Sequence, residues 1–264
     1  DTKGGESSIA ESDEENNEPI QLAPGLAAAL APPSESNDTR GRRGPDPLAG
    51  LRSWVPRTRL GHMVMNGEVT TYEQAVDSGF PIREVEIVDA LLPDLTDDVL
   101  GVNMIQRMTD SGRRVRFNVL CVVGNSDGYV GLAVCKGKEV SSTIRKAIDK
   151  AKLNLIPVMR GNGSWESSEG PGNSVPFKVT GRSGSTRITL MPAPAGKGLV
   201  IGDYGRRVLT LAGITDVWAR SAGQTRTTIN FARATFNALV ELNRTKITDG
   251  DRERLSITKG RKMQ

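Results

Sequence analysis

The clearest periodicity in the chain lies between residues 112 and 156. From Arg114 to Val123 the positions alternate, with Val115, Phe117, Val119, Cys121 and Val123 on one face and Arg114, Arg116 and Asn118 on the other. That period of two predicts a half-buried strand with a basic outer end. Gly124-Asn125-Ser126-Asp127-Gly128 reads as a hairpin loop, so Tyr129 to Val134 is the returning strand. The period then changes. From about Glu139 to Leu155, Val140, Ile144, Ala147, Ile148, Ala151 and Leu155 recur at three- and four-residue steps, which predicts a helix with one apolar face. Its other face carries Arg145, Lys146, Lys150 and Lys152, and Pro157 stops it. Strands followed by a helix that covers one sheet face make a small α+β module.

On the N-terminal side, the pattern predicts short helices around Arg59–Met65, Thr71–Asp77, Val85–Leu92 and Thr96–Leu100. Thr70, Pro93 and Thr96 act as caps and breakers, and Gly79-Phe80-Pro81 as a turn. On the C-terminal side, residues 161–173 are a Gly/Ser-rich connection into a second module. There Val175–Thr180 and Thr186–Met191 read as paired strands around a Gly181-Arg182-Ser183-Gly184 turn. A helix over Asp203–Ala212, a short strand over Asp216–Ala219 and a longer helix over Arg226–Leu242 follow. Ile229, Ala232, Phe236, Leu239 and Val240 form the buried stripe of that last helix. From Arg244 onward there are seven bases and three acids with no apolar periodicity, which reads as a basic tail.

Charge divides the chain unevenly. The formal net charge of +4 over 264 residues conceals two opposed parts. Residues 1–39 hold nine acids and one base, a net of −8, and the remainder holds 34 bases and 22 acids, a net of +12. Residues 1–47 are also rich in Ser, Asn, Pro, Gly and Ala and have no aromatic residue, so they cannot bury enough apolar surface to offset chain entropy and are expected to be disordered. This acidic segment reads either as a simple solvated tail or as a polyanion mimic that screens the basic body.

Several function classes lose support. With one histidine and two cysteines, a multi-histidine metal site is excluded, and Cys121 and Cys135 show neither zinc nor redox spacing. His62 stands beside no motif serine or cysteine, and Asp97-Asp98 fits the start of a helix better than an acid–base pair. Gly196-Lys197-Gly198 with Gly202 misses the dinucleotide fingerprint by one residue, and the segment Gly131 to Gly137-Lys138 fails as a phosphate loop because Glu139 stands where Ser or Thr is needed. No cofactor and no catalytic residue are assigned. No apolar run reaches the ~18 residues of a membrane span, and the expected setting is cytoplasmic.

The positive signal is the basic body. Arg113, Arg114 and Arg116 flank a strand start, and Lys136, Lys138, Arg145, Lys146, Lys150 and Lys152 follow on the adjoining loop and helix. Arg182, Arg187, Arg206, Arg207, Arg220, Arg226 and Arg233 decorate the second module. Phosphate neutralisation with counterion release needs such charges on a rigid surface, and arginine's planar fork adds bidentate contacts. Aromatic residues are only 4%, so stacking of single-stranded bases on an aromatic sheet is disfavoured. The expected partner is structured RNA recognised through its backbone and shape.

At these residues the chain resembles the ribosomal protein five family of the small subunit, in its archaeal and eukaryotic form. The resemblance runs through Gly112-Arg113-Arg114-Val115-Arg116-Phe117, Val123-Gly124-Asn125-Ser126-Asp127-Gly128-Tyr129-Val130-Gly131-Leu132, Lys138-Glu139-Val140 and Ile144-Arg145-Lys146-Ala147. It continues in Pro192-Ala193-Pro194 with Gly196 and Gly198, Leu211-Ala212-Gly213-Ile214, Thr225-Arg226-Thr227 and Asn230-Phe231. Trp54-Val55-Pro56-Arg57-Thr58-Arg59-Leu60-Gly61 matches the extension of the archaeal branch.

The resemblance covers roughly residues 54–242, not the acidic tail. It implies an α+β protein: a helical extension over 48–106, a double-stranded-RNA-binding-like domain over 107–173 and a second α/β domain with a left-handed βαβ crossover over 174–243. Composition adds a disordered acidic tail over 1–47 and a basic tail over 244–264. The resemblance implies a structural constituent of the small ribosomal subunit. The RNA-binding set is then Arg113, Arg114, Arg116, Lys136, Lys138, Arg145, Lys146, Arg182 and Arg226, with the loop Thr109–Arg114 approaching small-subunit rRNA. Gly198 and Arg206 fall at the face that in the family meets ribosomal protein four near the mRNA entry channel and influences decoding accuracy, and ribosomal protein eight is the other expected neighbour. A free-standing RNA-binding module and a kinase-like enzyme are the rival readings.

Overall fold

The computed structural model describes residues 24–26, 51, 54–164 and 172–261. Of the segment expected to be a disordered tail, only 24–26 are described. They are helical, with Leu26 buried, and the rest lies outside the described residues. Three short helices follow: α1 (Arg59–Met65), α2 (Tyr72–Asp77) and α3 (Val85–Leu91). The Thr58 side chain accepts from the Gly61 N–H at the start of α1, and Thr71 with Gln74 forms a reciprocal capping box on α2. Leu60, Val64, Tyr72, Ala75, Ile87 and Val88 bury together with Trp54, and the cluster takes in Tyr129 and Leu155 of the next module. The Tyr72 hydroxyl donates to the Leu155 carbonyl at 3.0 Å, and Lys152 pairs with Asp89 at 2.7 Å. The extension is thereby fastened to the body.

Glu84 ties the lead-in segment to α3: it accepts from the Trp54 indole and the Arg57 N–H, both at 2.9 Å. Burial alone would raise its pKa, but these hydrogen bonds outweigh that and hold it below the ordinary glutamate value. A carboxyl depressed in the folded state stabilises above its unfolded pKa, and the contribution is lost as pH falls through the folded value. Glu84→Ala is therefore expected to cost about 1 kcal/mol near neutral pH and to flatten the acid limb of the stability curve below the ordinary glutamate range. Urea titrations from pH 7 downward check this; parallel curves for the two proteins would refute it.

The first sheet has the order β1-β2-β3-β4, with β1 (Thr96–Thr109), β2 (Gly112–Gly124), β3 (Tyr129–Gly137) and β4 (Leu155–Pro157), every neighbour antiparallel. The helix expected over Thr96–Leu100 is instead the start of β1. Thr96 and Asp97-Asp98 resemble cap residues, but they pair with Gly124, Val123 and Val122, and the Thr96 hydroxyl donates to the Gly124 carbonyl at 3.0 Å. Tertiary pairing overrides the local signal, and the strand runs across the division expected at residues 106–107. Helix α4 (Val140–Leu153) ends before Leu155, which was expected to be helical and lies in β4 opposite Gly131.

Strand β2 was expected to be half-buried along its length. From Asn118 to Gly124 both faces are buried, whereas Gly112 to Arg116 is exposed on both. Helix α4 covers one face, where Val119, Cys121, Ala133 and Cys135 meet Ala147 and Ala151. The second domain covers the other, where Leu120, Val122, Val130 and Leu132 join Ile188, Leu190, Val208, Leu209 and Phe231 in one continuous core. Asn118, expected on the outside, is therefore buried, and its Oδ1 has no hydrogen-bond partner among the described residues.

The second sheet has the order β6-β7-β9-β8, from β6 (Val179–Ser183), β7 (Thr186–Pro192), β8 (Leu199–Val200) and β9 (Val217–Ala222). Strands β8 and β9 are parallel, and α5 (Asp203–Leu211) makes the crossover between them. The expected strand over Val175–Thr180 begins only at Val179 and continues through Gly181 to Ser183, with the turn at Gly184. Gly181 is a packing residue, because a Cβ there would run into the Ala234 carbonyl and the Ala238 backbone of α6 (Thr228–Arg244), which lies directly on the sheet.

The segment expected as a basic tail carries regular structure within its described residues, 244–261. It forms α7 (Asp249–Arg254) and β10 (Thr258–Lys259), and β10 pairs with β5 (Met159–Arg160). Ile257 is buried, and the Leu255 carbonyl accepts from the Asn162 N–H at 2.8 Å. One buried apolar residue and a two-residue ladder leave no periodicity for a sequence pattern to show.

Candidate nucleic-acid interface

Beyond Val102 and Phe117, β1 and β2 leave the body as a two-stranded finger closed by the 110–111 turn. The register sorts its side chains. Arg107 stands opposite Arg114 and Ile105 opposite Arg116, while Asn118 pairs with Asn103 on one side and Lys136 of β3 on the other. Directly opposed residues share a face and alternate residues repeat it, so Arg107, Arg114, Arg116 and Lys136 line one face. Met108 stands opposite Arg113, Gln106 opposite Val115 and Met104 opposite Phe117. The second face is therefore apolar, with Met108 74% and Met104 58% exposed, and Arg113 belongs to it. The arginine trio expected from the sequence is divided two and one, and Arg107 is the member that sequence reading missed. Only the strand register could have found it.

Lys138 lies exposed in the loop between β3 and α4, and Arg145 and Lys146 are exposed on α4. That helix packs on the sheet face opposite to the one carrying Arg114 and Arg116, so the basic residues of the first domain occupy two sides rather than one patch. Lys152, expected on the free basic face, is taken by Asp89. Among the described residues, no ion pair involves Arg107, Arg113, Arg114, Arg116, Lys136, Lys138, Arg145 or Lys146. These charges are open to an external anion.

In the second domain, Arg182 is exposed on β6 with its Nε donating to the Gly184 carbonyl at 3.0 Å, and Arg226 is exposed in the loop before α6. Gly198 precedes the crossover and Arg206 lies within it. Gly198 sits before β8 at φ +72°, a left-handed conformation costly for other residues, and its N–H donates to Asp216 Oδ1 at 2.7 Å. Arg206 is exposed on α5, and its neighbour Arg207 reaches Asp98 of β1 at 3.5 Å. Neither Gly198 nor Arg206 is part of the finger.

The residues weighed for catalysis are dispersed. His62 is exposed in the last turn of α1. Cys121 and Cys135 are free and buried, and burial, helped by Asp97 and Asp98, pushes the Cys121 thiol up to about 12. Among the described residues no group of three or more His, Cys, Asp or Glu could hold a metal ion, and no helix is long and apolar enough to cross a membrane.

A buried residue that no sequence signal marked joins the parts. Arg160 on β5 is 2% exposed and donates to Asp127 Oδ1 at 2.9 Å and to the Gly260 carbonyl at 2.8 Å. It connects the β2–β3 loop to the C-terminal segment.

Comparison with known proteins decides the family. Residues 95–159 match the family described as Ribosomal protein S5, N-terminal domain, and residues 181–252 match Ribosomal protein S5, C-terminal domain. The chain is 52% identical over 207 residues to the small ribosomal subunit protein uS5 of Methanothermobacter thermautotrophicus, covering 78% of this chain and 96% of that one. It is 56% identical over 187 residues to the protein of the same name from Methanothrix thermoacetophila, covering 71% and 92%. It is 58% identical over 190 residues to that from Methanospirillum hungatei, covering 72% and 93%. The chain belongs to the ribosomal protein S5 family, in its archaeal branch. This family is structural and non-enzymatic. The first matched domain begins at residue 95, so in S5 terms the whole finger, both strands of it, is domain sequence. The second ends at residue 252, within α7.

Proposed function

We propose that this S5 chain is a structural constituent of the small ribosomal subunit that binds small-subunit rRNA. The observation that carries this is the identity of 52–58% to archaeal small-subunit proteins over at least 92% of their length. The open charges of the finger give the reading its mechanism. Arg107, Arg114, Arg116 and Lys136 line a rigid antiparallel ribbon, and a polyanion laid along that face exchanges condensed counterions for fixed guanidinium groups. Lys138, Arg145 and Lys146 extend the basic surface around α4, and Arg182 and Arg226 add a contact in the second domain. Gly198 and Arg206, at the crossover, form the face toward ribosomal protein four, where the chain supports decoding accuracy near the mRNA entry channel. Ribosomal protein eight is the second neighbour in this reading.

The test is sedimentation of a cell lysate through a sucrose gradient at moderate magnesium. The chain is expected in the small-subunit fractions and depleted from the top of the gradient. Recovery of nearly all of it as free protein, still able to bind rRNA, would favour a free-standing RNA-binding module instead.

A further inference from the structure

We propose that the uncovered face of the second sheet is a further RNA-backbone site, formed by Arg182, Arg187 and Arg220. It rests on the RNA-binding reading above and adds a surface separate from the finger. Helices α5 and α6 cover one face of β6-β7-β9-β8, where Ile188, Leu190 and Val217 are buried. The opposite face is open. On it Arg182 of β6 stands directly across from Arg187 of β7, and Arg220 of β9 stands across from Thr189, the next position of β7 on that face.

Like charges directly opposed on neighbouring strands destabilise a sheet. No acidic group among the described residues offsets them here. The four strands contain no acidic residue, and among the described residues no ion pair involves Arg182, Arg187 or Arg220. A fold that sets three guanidinium groups side by side without a counter-charge is matched by an anion with several charges in a row. The planar fork of arginine fits the phosphate group in particular. Thr180 and Thr189, whose hydroxyls lie 3.0 Å apart beside the arginines, add polar contacts of the kind a sugar–phosphate strand accepts. At the far end of the same face Trp218, opposite Met191, is 41% exposed and offers a ring on which an unpaired base can stack.

The experiment compares the full chain with its Arg182→Gln/Arg187→Gln/Arg220→Gln variant for binding to a small-subunit rRNA transcript across a salt series. The slope of log affinity against log salt is expected to fall by about 3, near one for each lost phosphate contact. The matching Lys variant keeps the charges and is expected to keep the slope. Because opposed like charges are removed, the Gln variant is expected to unfold at an equal or higher temperature, which separates lost contacts from lost fold. An unchanged slope in the folded Gln variant overturns the proposal. So does a Gln variant that binds rRNA normally yet no longer joins small subunits, since the face would then be a protein interface. Failure of the unsubstituted chain to bind the rRNA transcript at any salt concentration overturns the RNA-binding reading itself, and this site with it.

Discussion

Replacing Arg107, Arg114 and Arg116 together by Gln is expected to weaken binding to small-subunit rRNA about a hundred-fold at moderate salt, and to reduce the salt slope by about 3. These residues share one face of the finger, Arg107 directly opposite Arg114 and Arg116 one step inward. They are exposed, and no ion pair among the described residues involves them. Removing them therefore exposes no buried partner and leaves the sheet intact, so the whole effect falls on the bound state. Arg113→Gln is the control. It lies on the opposite face beside Met108, and its loss is expected to cost much less than that of Arg114. Fluorescence anisotropy over a salt series reads both quantities. Equal losses for Arg113→Gln and Arg114→Gln would show that the two faces of the finger are not distinguished by RNA, and the arrangement inferred from the register would fail.

The largest stability effect is expected at Arg160. Arg160→Met keeps much of the volume but removes both charge-assisted hydrogen bonds, leaving the buried Gly260 carbonyl without its donor and Asp127 with only the more distant Arg261, whose Nε lies 4.0 Å from Oδ2. Breaking one side of a buried pair costs up to ~5 kcal/mol. Asp127 is 36% exposed and regains water, and the Arg160 Nε that is already unpartnered is no longer buried at a cost, so about 3 kcal/mol is expected. Asp127→Asn retains an acceptor for the guanidinium and should cost about 1 kcal/mol. Urea unfolding measures the totals. The location shows in limited proteolysis: in Arg160→Met the segment from residue 245 to 261 is expected to be cut well before the rest, because β10 and the Gly260 carbonyl have lost their anchor. Uniform cutting throughout the chain would mean that Arg160 stabilises the core generally and does not hold this segment in particular.

Periodicity reached the elements that bury a regular face. Helices α1, α2, α3, α4, α5 and α6 fall close to their expected spans, because stripes such as those of α4 and α6 are local signals. The cap of α2 is Thr71, one residue beyond the expected Thr70, and the Thr58 cap of α1 was not anticipated. It failed where a partner distant in sequence sets the outcome. Thr96–Leu100 has the residues of a helix start but is held extended by Gly124 and its neighbours. Leu155 continues the helical spacing of α4 but is drawn into β4 by Gly131. Asn118 follows a polar alternation yet is buried, since a second domain, invisible to a period-two pattern, covers that face.

By itself the sequence determined the family, the two-module α+β plan and the excess of positive charge over residues 40–264, because these depend on residue types and on spacings along the chain. The tertiary structure decided which charges stand together. It separated Arg113 from Arg114 and Arg116, supplied Arg107 from the neighbouring strand, took Lys152 away to Asp89, and set Arg187 against Arg182 on an open sheet face. It also turned an expected tail into a strand anchored by the buried Arg160. The physical reason is the same in each case. A side chain's face is fixed by the register of a strand against its neighbour, and a charge's availability by what folds against it, and neither quantity is a property of one segment alone.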